Sequence, residues 1–205
     1  MILKGFLVYF FWVCIAFLCG SLPFSVWVGR LFAHQDIRKF GDGNPGATNA
    51  LRAGGWAVGG LAYFLDIFKG ALPIGLTYQV LHLTGSGMVM VALAPSFGHA
   101  FSPFLRGRGG KALAVSLGVW IGLTTFELPL VCLTWIILGY VLLTVEGWAV
   151  LFTLLGTGLY LLIFNPDSLL LAVVVGQGML LTWTHRFDLK KPLALRPWVV
   201  RCLRR

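Results

Sequence analysis

The chain has 205 residues, 58% hydrophobic and 11% charged, with a mean hydropathy of +0.87 and a formal net charge of +9. A water-soluble domain carries roughly 25% charged and about 45–50% apolar residues, so this composition excludes a soluble globular fold and requires a surface covered by lipid. The positive charge is split among three membrane-flanking segments, which argues against nucleic-acid binding.

In chain order the apolar runs cover 2–28, 56–81, 88–105, 112–145, 147–164 and 168–184. The first lacks a small-x-small cleavage pattern and reads as a retained span, not a cleaved signal. Crossing about 30 Å of hydrocarbon takes about 20 helical residues, so 112–145 is too long for one span. Glu127 and Pro129 divide it into 112–124 and 128–145. The expected fold is therefore all-α, a single polytopic membrane domain over 1–205 with seven short transmembrane helices. Cys14, Cys19, Cys132 and Cys202 have no disulfide or metal-ligand spacing and read as packing residues; no metal or cofactor motif is expected.

Charge supports this count. Arg30, Arg38, Lys39 and Arg52 separate the first two spans, and Arg106, Arg108 and Lys111 separate the third and fourth. Arg186, Lys190, Lys191, Arg196, Arg201, Arg204 and Arg205 follow the seventh. Of the 16 lysines and arginines only Lys4 and Lys69 fall elsewhere. The positive-inside rule then puts the N-terminus outside and the C-terminus in the cytoplasm, in a bacterial inner membrane. The basic tail is expected to rest on anionic lipid.

Two loops combine cations with glycine. The first runs from Gly20-Ser21-Leu22-Pro23-Phe24 through Asp36-Ile37-Arg38 to Gly43-Asn44-Pro45-Gly46-Ala47-Thr48-Asn49 and Arg52. Its glycines allow backbone conformations barred to other residues, in which successive N–H groups can converge on an anion. The alternative is an ordinary turn. The second loop, from His99 to Arg108-Gly109-Gly110-Lys111, leads straight into an apolar helix whose N-terminus suits phosphate. Its alternative is a glycine turn with topology-setting charges. Asp66 and Lys69, three apart within the second span, read as a structural ion pair. Glu127, Glu146 and Asp167 fall at connections and are expected to be solvated.

In these residues the chain resembles the bacterial membrane acyl-phosphate:glycerol-3-phosphate acyltransferases (PlsY). Ser21, Pro23 and Phe24, Asp36-Ile37-Arg38, the run 43–49 and Arg52 resemble that family's first motif. Asp66, Lys69 and Gly70 match an Asp-x-x-Lys-Gly. His99 and Gly109-Gly110-Lys111 resemble the second motif, and His185-Arg186 the third. The resemblance implies transfer of an acyl group from acyl phosphate to the 1-hydroxyl of glycerol 3-phosphate at the cytoplasmic face, without cofactor or metal. Lysophosphatidic acid and phosphate would be the products, and an acyl-phosphate-forming enzyme a possible partner. It implies that Arg38, Asn44, Thr48 and Arg52 bind glycerol 3-phosphate, with Ser21, Asp42, Gly43 and Asn49 read as further substrate-binding residues. Arg108, Gly109, Gly110 and Lys111 would hold the acyl phosphate, and Asn44, His99 and His185 would serve the reaction, the histidines as orienting groups or proton carriers.

Four positions depart from the family pattern: Asp42 in place of serine, Ala112 of glycine, Asp188 of asparagine, and Leu195-Arg196-Pro197 of the closing Gly-x-Glu. A carboxylate at 42 is expected to repel phosphate unless Arg38, Lys39 or Arg52 neutralises it, or else to bond a hydroxyl of a different acceptor. A non-catalytic transporter or scaffold for phosphorylated lipids is the other class of function compatible with these loops.

Overall fold

The computed structural model describes residues 2–203, and side chains over 5–202. Among them the regular structure is helical, apart from one isolated bridge between Leu143 and Leu195. Apolar chain in hydrocarbon has no other local solution, because each backbone N–H and C=O needs an internal partner there. The described residues form two compact units, divided between Thr125 and Phe126.

The first unit contains α1 (Ile2–Ser21), α2 (Phe24–Phe32), α3 (Ala47–Gly75, continued by a π-turn over Leu76–Val80), α4 (Gly85–Ala100) and α5 (Leu113–Thr124). The expected span 2–28 is two helices. Pro23, which has no N–H to continue α1, occupies the N-cap of α2 instead. Gly55, at φ 74°, interrupts α3. The apolar run from Trp56 is thus a helical stretch of its own, preceded by a short polar one over 47–54. Helix α1 packs on α4, α2 on α3, and α3 on α5. Where α1 crosses α4, a Cβ on Gly20 would strike the Pro95 carbonyl and one on Gly98 the Phe17 carbonyl. Backbones this close require small residues.

The expected Asp66–Lys69 pair is present and buried, with Nζ 2.7 Å from Oδ1. It also ties α2 to α3: Ser25 donates to Asp66 Oδ2 (2.5 Å), and Lys69 donates to the Leu22 carbonyl (2.7 Å) at the α1–α2 break.

The second unit contains α6 (Glu127–Leu142), α7 (Glu146–Phe164), α8 (Ser168–Thr184) and α9 (Pro197–Leu203), with α7 packed on both α6 and α8. Two of the connection acids do more than face water. Asp167 caps α8 by accepting from the N–H groups of Leu169 and Leu170, and Glu127 accepts from Tyr160 and Asn165. Arg196 lies in the tripeptide expected to replace a closing Gly-x-Glu. Its N–H donates to the Leu142 carbonyl and its Nε to that of Tyr140, at 2.9 and 2.7 Å. It thus satisfies carbonyls that the end of α6 leaves unpaired.

Among the described residues, four helical stretches are long and apolar enough to cross a membrane: Gly5–Phe32, Ala47–Val80, Gly85–Leu105 and Glu146–Phe164. Leu113–Thr124, Glu127–Leu142 and Ser168–Thr184 are apolar but shorter.

Candidate active site

The first loop is built on a buried anchor. Ile37 is fully buried in a one-turn 3-10 helix over Ile37–Lys39, and this fixes the residues on either side. Asp36 Oδ1 accepts from the Arg38 N–H and Nε, and Oδ2 from its terminal nitrogen at 2.6 Å, with Arg30 3.9 Å away. The Arg38 hydrogen bond, aided by the Arg38 and Arg30 charges, holds the Asp36 carboxyl down to about 2 against the opposing effect of burial. The planar fork of Arg38 is therefore already engaged by a carboxylate within its own turn.

Gly41 and Gly43 adopt left-handed backbone, at φ 55° and 76°, as the glycine spacing implies. Three of the loop's N–H groups turn to partners within the loop, however. Gly43 N–H donates to the Phe40 carbonyl, Gly46 N–H to that of Asn44, and Asn44 N–H to Asp42 Oδ1. Short turns close most easily through their own backbone groups. Thr48, Asn49 and Arg52, expected in the loop, lie on the first turns of α3. Exposed Thr48 shares a 2.6 Å hydrogen bond with Tyr63.

The second loop folds back on the helix before it. Gly109 N–H donates to the Ala100 carbonyl and Gly110 N–H to that of His99, both at 3.1 Å. These glycines cap α4 and are not a preformed phosphate cradle. Their lack of a side chain has a packing cause: a Cβ on Gly110 would strike the His99 imidazole, and one on Gly109 the His99 carbonyl. Ala112 then enters α5 with φ 67°, a left-handed conformation that glycine would hold without strain.

Lys111 joins the two loops. Its Nζ lies 2.9 Å from Asp42 Oδ2, with the lysine side chain 17% and the aspartate 44% exposed. The cation that neutralises Asp42 is thus none of Arg38, Lys39 and Arg52, but the lysine of the other loop. Asp42 Oδ1 accepts from the Asn49 amide (3.0 Å), which also donates to the Asn44 carbonyl, and Asn49 Oδ1 accepts from Arg52 at 2.7 Å. Burial pushes the Asp42 carboxyl up, but the hydrogen bonds from Lys111, Asn44 and Asn49 and the Lys111 charge outweigh it, and the group lies below the usual carboxylate range. Lys39 and Arg108, in the same two loops, are exposed. Arg38, Lys39, Arg52, Arg108 and Lys111 outnumber the carboxylates of Asp36 and Asp42, so the surface formed by the two loops attracts anions.

Behind it, Ser21 and His99 are buried. Ser102, which sequence reasoning missed, donates to the Ser21 carbonyl at 2.6 Å and so secures the second loop to the end of α1. Tyr63 and Ser25 were missed too. Their partners lie 15 and 41 positions away, where no local spacing betrays them. In the second unit, His185 is buried at the end of α8, and Nδ1 donates to the Leu181 carbonyl at 2.8 Å. That bond makes Nε2 the basic ring nitrogen. Asp188, in place of the family's asparagine, lies 3.5 Å from Lys191. Among the described residues no group of three His, Cys, Asp or Glu side chains comes together as a metal site.

Residues 10–194 match the family model described as glycerol-3-phosphate acyltransferase. The chain is 42% identical to glycerol-3-phosphate acyltransferase 1 of Thermotoga maritima over 124 residues, 60% of this chain and 61% of that protein. It is 30% identical to the glycerol-3-phosphate acyltransferase of Maridesulfovibrio salexigens over 188 residues, 90% of this chain and 93% of that one. Among solved structures it is similar to PlsY, an integral membrane glycerol 3-phosphate acyltransferase, in its glycerol 3-phosphate form. The TM-score is 0.81 at 27% identity, over 89% of this chain and 90% of that one.

Proposed function

The chain belongs to the glycerol-3-phosphate acyltransferase family, and we propose that it is a multi-pass membrane enzyme that moves a fatty acyl group from acyl phosphate to the 1-hydroxyl of glycerol 3-phosphate. The observation that carries this reading is the junction of two cationic loops through Lys111, Asp42, Asn49 and Arg52. Both substrates of such a reaction are phosphate anions, and both require a cationic surface at the lipid boundary.

An acyl phosphate is a mixed anhydride, already activated for attack. The acceptor hydroxyl forms a new C–O bond at the acyl carbon, the bond to the phosphate oxygen breaks, and inorganic phosphate leaves with both bonding electrons. The hydroxyl proton passes to a base. His99 and His185 are the candidates, and the bond from His185 Nδ1 to the Leu181 carbonyl fixes the orientation of that ring. The protein's part is to orient the two anions and to stabilise the charge that develops on the carbonyl oxygen and the leaving phosphate. Arg38, Arg52, Arg108 and Lys111 supply that charge, with Ser21, Gly43, Asn44, Thr48, Gly109 and Gly110 shaping the surface around it.

The proposed layout has one domain with seven spans, the N-terminus outside, and both loops and the tail on the cytoplasmic side of a bacterial inner membrane. It rests on the alternation of basic and charge-free connections.

The test is purified protein in detergent with acyl phosphate and labelled glycerol 3-phosphate. Lysophosphatidic acid should form, and Lys111→Ala should lower its rate about tenfold to a hundredfold, as loss of a charged hydrogen bond does. Arg201→Ala, on the exposed tail, is the control. Product from an acyl thioester but not from acyl phosphate would refute the donor, and no product from either would refute the reaction.

A further inference from the structure

Asp42 is where this chain departs from its family inside the array that joins the two loops, and the structure gives it a definite set of partners. Oδ1 accepts from the Asn44 N–H at 3.1 Å and from the Asn49 amide at 3.0 Å. Oδ2 meets Lys111 at 2.9 Å. A serine hydroxyl could replace one or two of these contacts, but it has no charge with which to hold an ammonium ion, and its single oxygen cannot face two loops at once.

We infer that Asp42 is a positioning residue: it fixes the Lys111 ammonium at the junction of the two loops, so that the lysine meets a substrate phosphate from a set place instead of searching for it. The inference rests on the acyltransferase reading above for the identity of the phosphate, but not for the clamp itself.

Three features support it. Lysine carries its charge on a flexible four-carbon stem, so the entropy lost in ordering it falls on substrate binding unless it is ordered beforehand. An ammonium has three donors, so Lys111 can keep Asp42 and still donate to a phosphate oxygen. Asn49, which is buried, holds the other carboxylate oxygen and is itself held by Arg52. The anchor for Lys111 is therefore rigid, and it relays position from the start of α3 to the start of α5. The carboxylate also offsets part of the lysine charge, a cost that the neighbouring Lys39, Arg52 and Arg108 compensate by supplying the net attraction.

The test is a double-mutant cycle on kcat/KM for glycerol 3-phosphate, using Asp42→Ser, Asp42→Asn and Asp42→Glu alone and combined with Lys111→Met. The asparagine variant keeps the acceptor for Asn44 and Asn49 and removes only the charge, so it stands in if the serine variant does not fold. Both neutral variants should lose about tenfold in the parent and less than about twofold in the Lys111→Met background, and Asp42→Glu should recover most of the loss. Equal losses in both backgrounds would make Asp42 a structural turn residue and overturn the inference. A gain in kcat/KM would show that it merely repels phosphate, and no change in the parent would overturn the inference equally.

A second readout needs no activity. Acetylation of Lys111 by acetic anhydride, followed by mass spectrometry and referenced to Lys39, should be several-fold faster in Asp42→Asn than in the parent. If the parent makes no lysophosphatidic acid but Lys111 shows this protection, the reaction has failed and the clamp stands. If it makes product and Lys111 is equally reactive in both proteins, the clamp has failed and the reaction stands.

Discussion

Replacing Lys69 by methionine should be among the most damaging single changes in the chain, although it exchanges a charged residue for an apolar one inside an apolar helix. Lys69 is 3% exposed and Asp66 1%. Methionine fits the space but removes the partner of Asp66 Oδ1 and the donor to the Leu22 carbonyl. Removing one member of a buried pair typically costs about 3–5 kcal/mol, because the other charge is left uncompensated. At about 2–4 °C per kcal/mol for a chain of this size, the unfolding midpoint should fall by roughly 6–20 °C. Asp66→Leu combined with Lys69→Met removes both charges together. Replacing a buried pair by apolar residues is often neutral, so the double variant should be more stable than Lys69→Met alone. Thermal unfolding in detergent, followed by the fluorescence of the eight tryptophans, measures all three proteins. A fall below about 2 °C in Lys69→Met, or a double variant no more stable than Lys69→Met, would refute this account of the pair.

Ala112→Gly should raise the midpoint by about 2–8 °C, since a non-glycine residue in left-handed backbone costs roughly 1–2 kcal/mol; a lower midpoint would show that its buried methyl group outweighs the strain. Asp36 has its carboxyl depressed from 3.8 to about 2, so its pairing with Arg38 adds stability above pH 3.8 that is lost as the pH falls through the folded value. The stability advantage of the parent over Asp36→Asn should therefore be constant above about pH 4 and vanish towards pH 2, as followed by denaturant titration at several pH values. Reporter fusions should place Gly85 and Asp167 outside and Gly43, Gly109 and Arg196 inside, and an inside signal at Gly85 would overturn the proposed layout.

The helices were legible because apolar runs in lipid have only one local solution, and the Asp66–Lys69 pair because i,i+3 spacing puts two residues on one face. The glycine-and-cation loops were legible as a place but misread in detail. Gly43, Gly46, Gly109 and Gly110 direct their N–H groups to nearby carbonyls, a choice governed by how each turn closes, which composition does not encode. The pairing of Asp42 with Lys111 joins loops almost seventy residues apart, and only the packing of α3 on α5 brings them together. Pro23 was in plain view as part of a motif, yet it also ends a helix. Arg196, which reads in the sequence as one of the basic residues of the tail, acts through the carbonyls of α6, which no sequence pattern announces.

The crossing of α1 over α4 has a consequence for the order of events during synthesis. Gly20 and Gly98, which let the two backbones touch there, are separated by the whole hairpin of α2 and α3. Ribosomes add about 5–20 residues per second, so the first helix waits roughly 4–16 seconds in the bilayer before its partner exists. During that interval lipid tails fill the notch at Gly20, and α4 must expel them as it docks. A bulky residue at position 20 would bar that late arrival even though α1 itself inserted normally, so the defect would show as an N-terminal half correctly placed in the membrane but never closed.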